Sequence, residues 1–243
     1  MRRLLNPFSG RQSGIRPFLD NGWLAVTSEL EDRFPSTFGD FIEVTPEAVL
    51  DAAGGPIDFV WASVPCTTFS IGSMRHHWNA TGTTADGREV YRAPGEAWRD
   101  MRTDDIVAAT PVELTYTPAS ETARKHRDLL RHTLDVIEAL APSYWVIENP
   151  RALMRKMPEL AGVERRTVTH CQYGDPRRMK PTDLFGVFPE SFEARSCRNG
   201  DTCHEAAPRG AKTGTQGLRN AEERSLVPYA LPDELRQAIE REL

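Results

Sequence analysis

Residues Ile57–Cys66, IDFVWASVPC, form a short apolar run that stops at a Pro–Cys pair. A run of this length, rich in Phe, Val and Trp, suits a strand buried on both faces. A cysteine just past such a strand is either an inert small hydrophobe or a nucleophile held at the strand's end. The flanking sequence bears on that choice.

Working outward, short apolar runs alternate with helical patterns, the signature of a mostly parallel sheet. RRLLNPF (2–8) reads as a first strand, GIRPFLDNG (14–22) as a short helix ending at Gly22, and WLAVTSE (23–29) as a second strand. Downstream, SETARKHRDLLRHTLDVIEALAP (120–142) has Ser120 as a cap, one apolar face and Pro142 as a stop. SYWVIEN (143–149) is another buried strand, ending in an acid. RRTVTHCQYG (165–174) and TDLFGVF (182–188) suit an antiparallel pair, and LPDELRQAIEREL (231–243) a closing helix. Between them, 71–119 is polar and rich in Gly, Pro and Thr, and reads as one long functional or unstructured loop.

The chain has 243 residues, enough for one domain with a small appendage. Its net charge of −5 excludes a globally basic protein, so a polyanion would have to meet a local patch. Arg165, Arg166, Arg177, Arg178 and Lys180 make one; Arg195, Arg198, Arg209, Lys212 and Arg219 make another. Four cysteines in this length are not a disulfide framework, and neither a signal peptide nor a membrane span is evident. The expectation is a soluble protein of a reducing cytoplasm, with no obligate protein partner evident.

In an open parallel sheet, ligands bind beyond the carboxyl ends of the strands. Phe8, Ser9 and Gly10, then Glu29, Asp40, Pro65 and Cys66, and finally Glu148 and Asn149 all fall at such ends. A thiol and a carboxyl group brought together there suit covalent catalysis with proton transfer. For Glu29 and Asp40 the plainer alternative is capping or a solvated turn.

VPCTTFS (64–70), VIENP (146–150) and CQYGDPRRMKPTDLFG (171–186), in this order, resemble the DNA (cytosine-5) methyltransferase family, in its compact phage and bacterial branch. MRHHW (74–78), CRNGDTCH (197–204) and APRGAKTGTQG (207–217) resemble the same branch. The resemblance implies an α/β, Rossmann-like sheet flanked by helices that binds S-adenosylmethionine, with a small loop-rich recognition part toward the C-terminus. It divides the chain into a catalytic domain over 1–186, a recognition-like segment over 187–224 and a C-terminal helix packing back over 225–243.

By that resemblance Cys66, set by Pro65, attacks C6 of a flipped cytosine in double-stranded DNA. Glu148 protonates N3, and Asn149 orients the Cys66 loop. Phe8, Ser9, Gly10, Glu29, Asp40 and Pro65 contact the cofactor; Gln12 stands where a second loop glycine is usual. Ser70, His76, His77, Arg177, Arg178 and Lys180 are the DNA-contact candidates, the last three toward phosphates. A different C5 modification, an RNA substrate and a catalytically silent DNA-binding relative are the alternatives. Separately, Cys171, Cys197, Cys203 and His204 have the residue types of a closed Cys₃His zinc site.

Overall fold

The computed structural model describes residues 1–108, 110–175, 177–206 and 220–243. Arg209, Lys212, Arg219 and the APRGAKTGTQG stretch lie outside the described residues.

The elements, in chain order, are β1 (Arg3–Pro7), α1 (Arg16–Asp20), β2 (Leu24–Ser28), α2 (Pro46–Ala53) and β3 (Phe59–Ala62). Four further strands follow: β4 (Trp78–Thr83), β5 (Glu89–Arg92), β6 (Arg99–Asp100) and β7 (Glu113–Pro118). Then come α3 (Glu121–Leu140), β8 (Tyr144–Pro150), β9 (Arg165–Thr169), β10 (Pro181–Val187), α4 (Ala221–Ser225) and α5 (Ala230–Glu242).

The main sheet has six strands in the order β2-β1-β3-β8-β10-β9. Pairings from β2 through β8 are parallel; β8 with β10 and β10 with β9 are antiparallel. This is an α/β, Rossmann-like architecture, and its run of parallel strands is what the alternating pattern implied. Successive core residues point to opposite faces. Leu5, Val60, Ala62 and Ile147 pack toward Val49 of α2 and Leu130 and Ile137 of α3. Leu4, Phe59, Trp61 and Val146 pack toward Phe18 of α1 and Leu231, Leu235 and Ile239 of α5. Helices therefore cover both faces.

Helix α3 begins where its cap predicts: the Ser120 side chain accepts from the Ala123 amide. It ends at Ala141 in a left-handed conformation, just before Pro142. Helix α5 is fastened to the sheet's first strands, with Trp23 donating to Glu240 at 2.8 Å.

The 71–119 stretch departs from expectation. It builds a second, antiparallel sheet of order β6-β5-β4-β7 rather than one irregular loop. Buried Trp78 roots this sheet beside Cys66, donating its indole N–H to the Thr68 carbonyl at 2.9 Å and packing on Phe69. Gly82 is needed in β4, because a Cβ there would meet the Glu113 carbonyl at 2.1 Å.

Candidate active site

Strand β1 leads to β2 on one side, and β3 then pairs on the other side of β1, so the carboxyl ends of β1 and β3 bound a crevice. Pro65 and Cys66 follow β3, and Glu148 and Asn149 end the parallel strand β8. Because β10 runs antiparallel to β8, with Thr182 opposite Pro150, Lys180 arrives at this same end.

A compact turn presents Cys66. The Cys66 carbonyl accepts from the Phe69 and Ser70 amides at 3.0 and 2.9 Å. The buried Asn149 side chain donates to the Val64 carbonyl at 2.8 Å, tying the approach to Cys66 onto β8. Asn6 does the same one strand earlier, donating to the Trp61 carbonyl at 2.7 Å. Ser70 closes the turn through the Ser73 hydroxyl at 2.9 Å.

The electrostatics of this end are coupled. Burial pushes the Cys66 thiol up, and the Glu148 charge adds to that; Lys180 and Arg224 oppose it. Burial also raises the Glu148 carboxyl, against the pull of Lys180 and a hydrogen bond from Ser63. Lys180 is itself lowered by burial, and Glu148 and Cys66 counter that. Glu148 Oε1 is buried without a hydrogen-bond partner among the described residues. A raised carboxyl with one uncommitted oxygen is equipped to hold and deliver a proton.

The residues at the end of β1 gather with those at the end of β2. Phe8, Gly10 and Gln12 have positive φ of 59°, 45° and 57°, so a non-glycine residue, Gln12, sits in the left-handed region. Gly14 is indispensable for a different reason: a Cβ would fall 2.3 Å from the Trp61 indole nitrogen. The Gly10 amide donates to Glu29 at 2.6 Å, and Ser9 Oγ is buried with no partner among the described residues. Asp40 caps the short turn Phe41–Glu43, accepting from Ile42 at 3.3 Å, and pairs with Lys125 at 3.5 Å. Phe41 in turn meets Phe8 edge-on, ring centroids 5.3 Å apart.

The DNA-contact candidates separate. His76 and Arg177 are exposed. His77 is half-buried and bonds Ser120 at 2.8 Å, joining the Cys66 side of the second sheet to α3. Arg178 is 3% exposed, with its guanidinium on Asp175 and the Glu223 and Leu226 carbonyls. It holds the C-terminal segment down. Lys180 is partly buried and within the field of Glu148 and Cys66.

Arg224 escaped the sequence reading, yet its charge reaches Cys66. Helix α4 brings it there, and the same helix joins the β1 loop through an Arg11–Glu222 ion pair. Nothing local in EERS points to this; only the docking of α4 does. Cys171, Cys197, Cys203 and His204 also come together, their donor atoms all within 4.8 Å of one another.

No protein-family model matches the chain, and no curated protein matches it significantly. Among solved structures it is similar to one described as a DNA modification methyltransferase encoded within an E. coli prophage, at TM-score 0.46 and 14% identity over 77% of this chain. It is also similar to the Entamoeba histolytica methyltransferase EhMeth, at TM-score 0.44 and 10% identity over 82% of this chain. A Spodoptera frugiperda DNMT2 mutant gives TM-score 0.43 and 10% identity over 85% of this chain. The matches span 47%, 57% and 58% of those structures' own chains.

Proposed function

We propose that this protein transfers a methyl group from S-adenosylmethionine to C5 of a cytosine in DNA. The observation that carries the reading is the convergence of the Cys66 thiol, the buried Glu148 carboxyl and Lys180 at the carboxyl end of one sheet.

The residues beyond β1 and β2 fit the cofactor. The loop bends through three left-handed residues, brings the Glu29 carboxylate to Gly10, and leaves the buried Ser9 hydroxyl unpartnered. Ser9, Gly10 and Glu29 would hold it, with Phe8 and Asp40 on the adenine side; carboxylates suit ribose hydroxyls. When bound, S-adenosylmethionine supplies an electrophilic methyl group.

The chain's own groups prepare the acceptor. Cys66 Sγ adds to C6 of the pyrimidine, converting C5 from an aromatic carbon to an enamine-like nucleophile. Glu148 delivers its proton to N3, so the adduct forms without accumulating negative charge. After the new bond to C5 is made, water takes the C5 proton, Cys66 leaves C6 as thiolate, and Glu148 takes back the N3 proton, which restores the ring. Lys180 offsets the cost of holding thiolate and carboxylate charge in a half-buried pocket. The base must leave the duplex to reach Cys66, so the site takes a flipped nucleotide.

The test is nucleoside analysis of DNA from cells expressing the protein. The expected result is 5-methylcytosine with wild type and none with Cys66→Ala. A folded wild type that leaves no 5-methylcytosine in cellular or added DNA overturns the proposal.

A further inference from the structure

We infer that Cys171, Cys197, Cys203 and His204 bind one zinc ion in a closed tetrahedral site that fastens segment 197–204 to the turn after β9. The donors come from two parts of the chain. Cys171 lies in the turn His170–Tyr173, and the other three lie in CRNGDTCH. Cys171 Sγ is 3.3 Å from Cys197 Sγ and 3.7 Å from Cys203 Sγ. His204 Nδ1 is 3.7 Å from Cys197 Sγ and 3.5 Å from Cys203 Sγ.

Three of these four spacings are those of ligands around one ion, and the Cys171–Cys197 pair is slightly closer. With Zn–S about 2.3 Å and Zn–N about 2.0–2.1 Å, a tetrahedron sets its donor atoms roughly 3.5–3.8 Å apart. Thiols are weak hydrogen-bonding groups, so three of them clustered with an imidazole, two within 3.7 Å of its Nδ1, gain little from each other alone. Three sulfurs and one nitrogen select zinc over hard, oxygen-preferring cations. Four protein donors leave no open position, which marks a structural ion rather than a catalytic one.

The surroundings hold the ligands in place. Thr169 Oγ1 lies 3.4 Å from Cys197 Sγ and accepts from the Cys197 amide at 3.0 Å. Such outer contacts orient metal ligands. The Thr169 amide donates to the Arg195 carbonyl at 3.1 Å, aligning the incoming segment with β9. On the other side, the His170 amide donates to the Met179 carbonyl at 2.8 Å, next to Lys180. The ion therefore sits behind the loop that delivers Lys180, and its binding is independent of whether that site methylates cytosine.

Metal analysis of the tag-free full-length protein, with a thiol count before and after chelation, tests the inference. One zinc per chain is expected, with only Cys66 reactive until chelation releases the three site thiols. Exchange with cobalt(II) should give the thiolate charge-transfer and visible bands of a tetrahedral site. Cys203→Ser should lose the ion while the wild-type chelation experiment stands as the control for folding. A folded, metal-free wild type with all its thiols reactive overturns the inference, as does a Cys171–Cys197 disulfide.

Discussion

Asn149 donates its side-chain amide to the Val64 carbonyl at 2.8 Å, so the strand that carries Glu148 also holds the turn that presents Cys66. One buried hydrogen bond thus sets acid and nucleophile in a common frame. Asn149→Ala leaves the Val64 carbonyl unsatisfied, at a cost of about 1–3 kcal/mol. The expected outcome is a lower unfolding midpoint together with a loss of turnover larger than the loss of DNA affinity. Denaturant titration and single-turnover methylation measure the two. Unchanged turnover in a destabilised variant would show that the bond serves folding alone.

Glu148→Gln should separate stability from activity. The folded-state pKa of Glu148 is raised, so ionising it costs stability. That cost is absent below the unfolded pKa and is fully present above the folded one. Gln removes it, so the variant gains more over wild type at pH 8 than at pH 5. The gain is read as a higher Tm of the variant at pH 8. Turnover should fall by about 10²–10⁴, the usual loss with a general acid. Near-normal turnover would remove Glu148 from proton transfer.

Lys180→Met should make Cys66 less reactive. Lys180 lowers the Cys66 thiol against the effects of burial and Glu148, so its loss raises that thiol further. Alkylation of Cys66 at pH 8 should slow, because a smaller fraction of the thiol is ionised. The profile of rate against pH should shift to higher pH. A profile that does not move would place Lys180 outside the thiol's field.

The loop after β1 offers two opposite substitutions. Gln12→Gly relieves a left-handed residue at φ 57°, worth about 1–2 kcal/mol before the added entropy of glycine is subtracted. Gly14→Ala drives a Cβ to 2.3 Å from the Trp61 indole and should destabilise by about 1–3 kcal/mol. Thermal unfolding of both variants checks the pair; a stabilising Gly14→Ala would refute the packing of this loop on β3.

The second sheet is a candidate for sequence readout, because Trp78 roots it beside the Cys66 turn. Shortening it across residues 85–107, which removes β5 and β6, should change the methylated sequence or abolish methylation while the main sheet still folds. With so few residues between β10 and α5 we expect a recognition site of about two to four base pairs, since each base-edge contact supplies about 1–3 kcal/mol of discrimination. Bisulfite sequencing reads the site; a strict site of six or more pairs would contradict this expectation.

Much of this was legible in the linear chain. Parallel strands buried on both faces need unbroken apolar runs, so FVWA and WVI announce themselves without any tertiary information. Ser120 and Pro142 bracket α3 because capping and proline act on adjacent residues. Local chemistry also placed Cys66 and Glu148 at strand ends. Other features depended on partners distant in sequence. Strand β4 pairs with β7 across a long intervening stretch, and its half-exposed, Thr-rich pattern looks like loop until that pairing exists. Arg178 and Lys180 are near neighbours in one basic run, yet burial against Asp175 and the 223–226 carbonyls takes one, and the antiparallel entry of β10 delivers the other to Glu148. A charge in sequence has no direction. Only the docking of α4 and the register of β10 on β8 decide which field it feels.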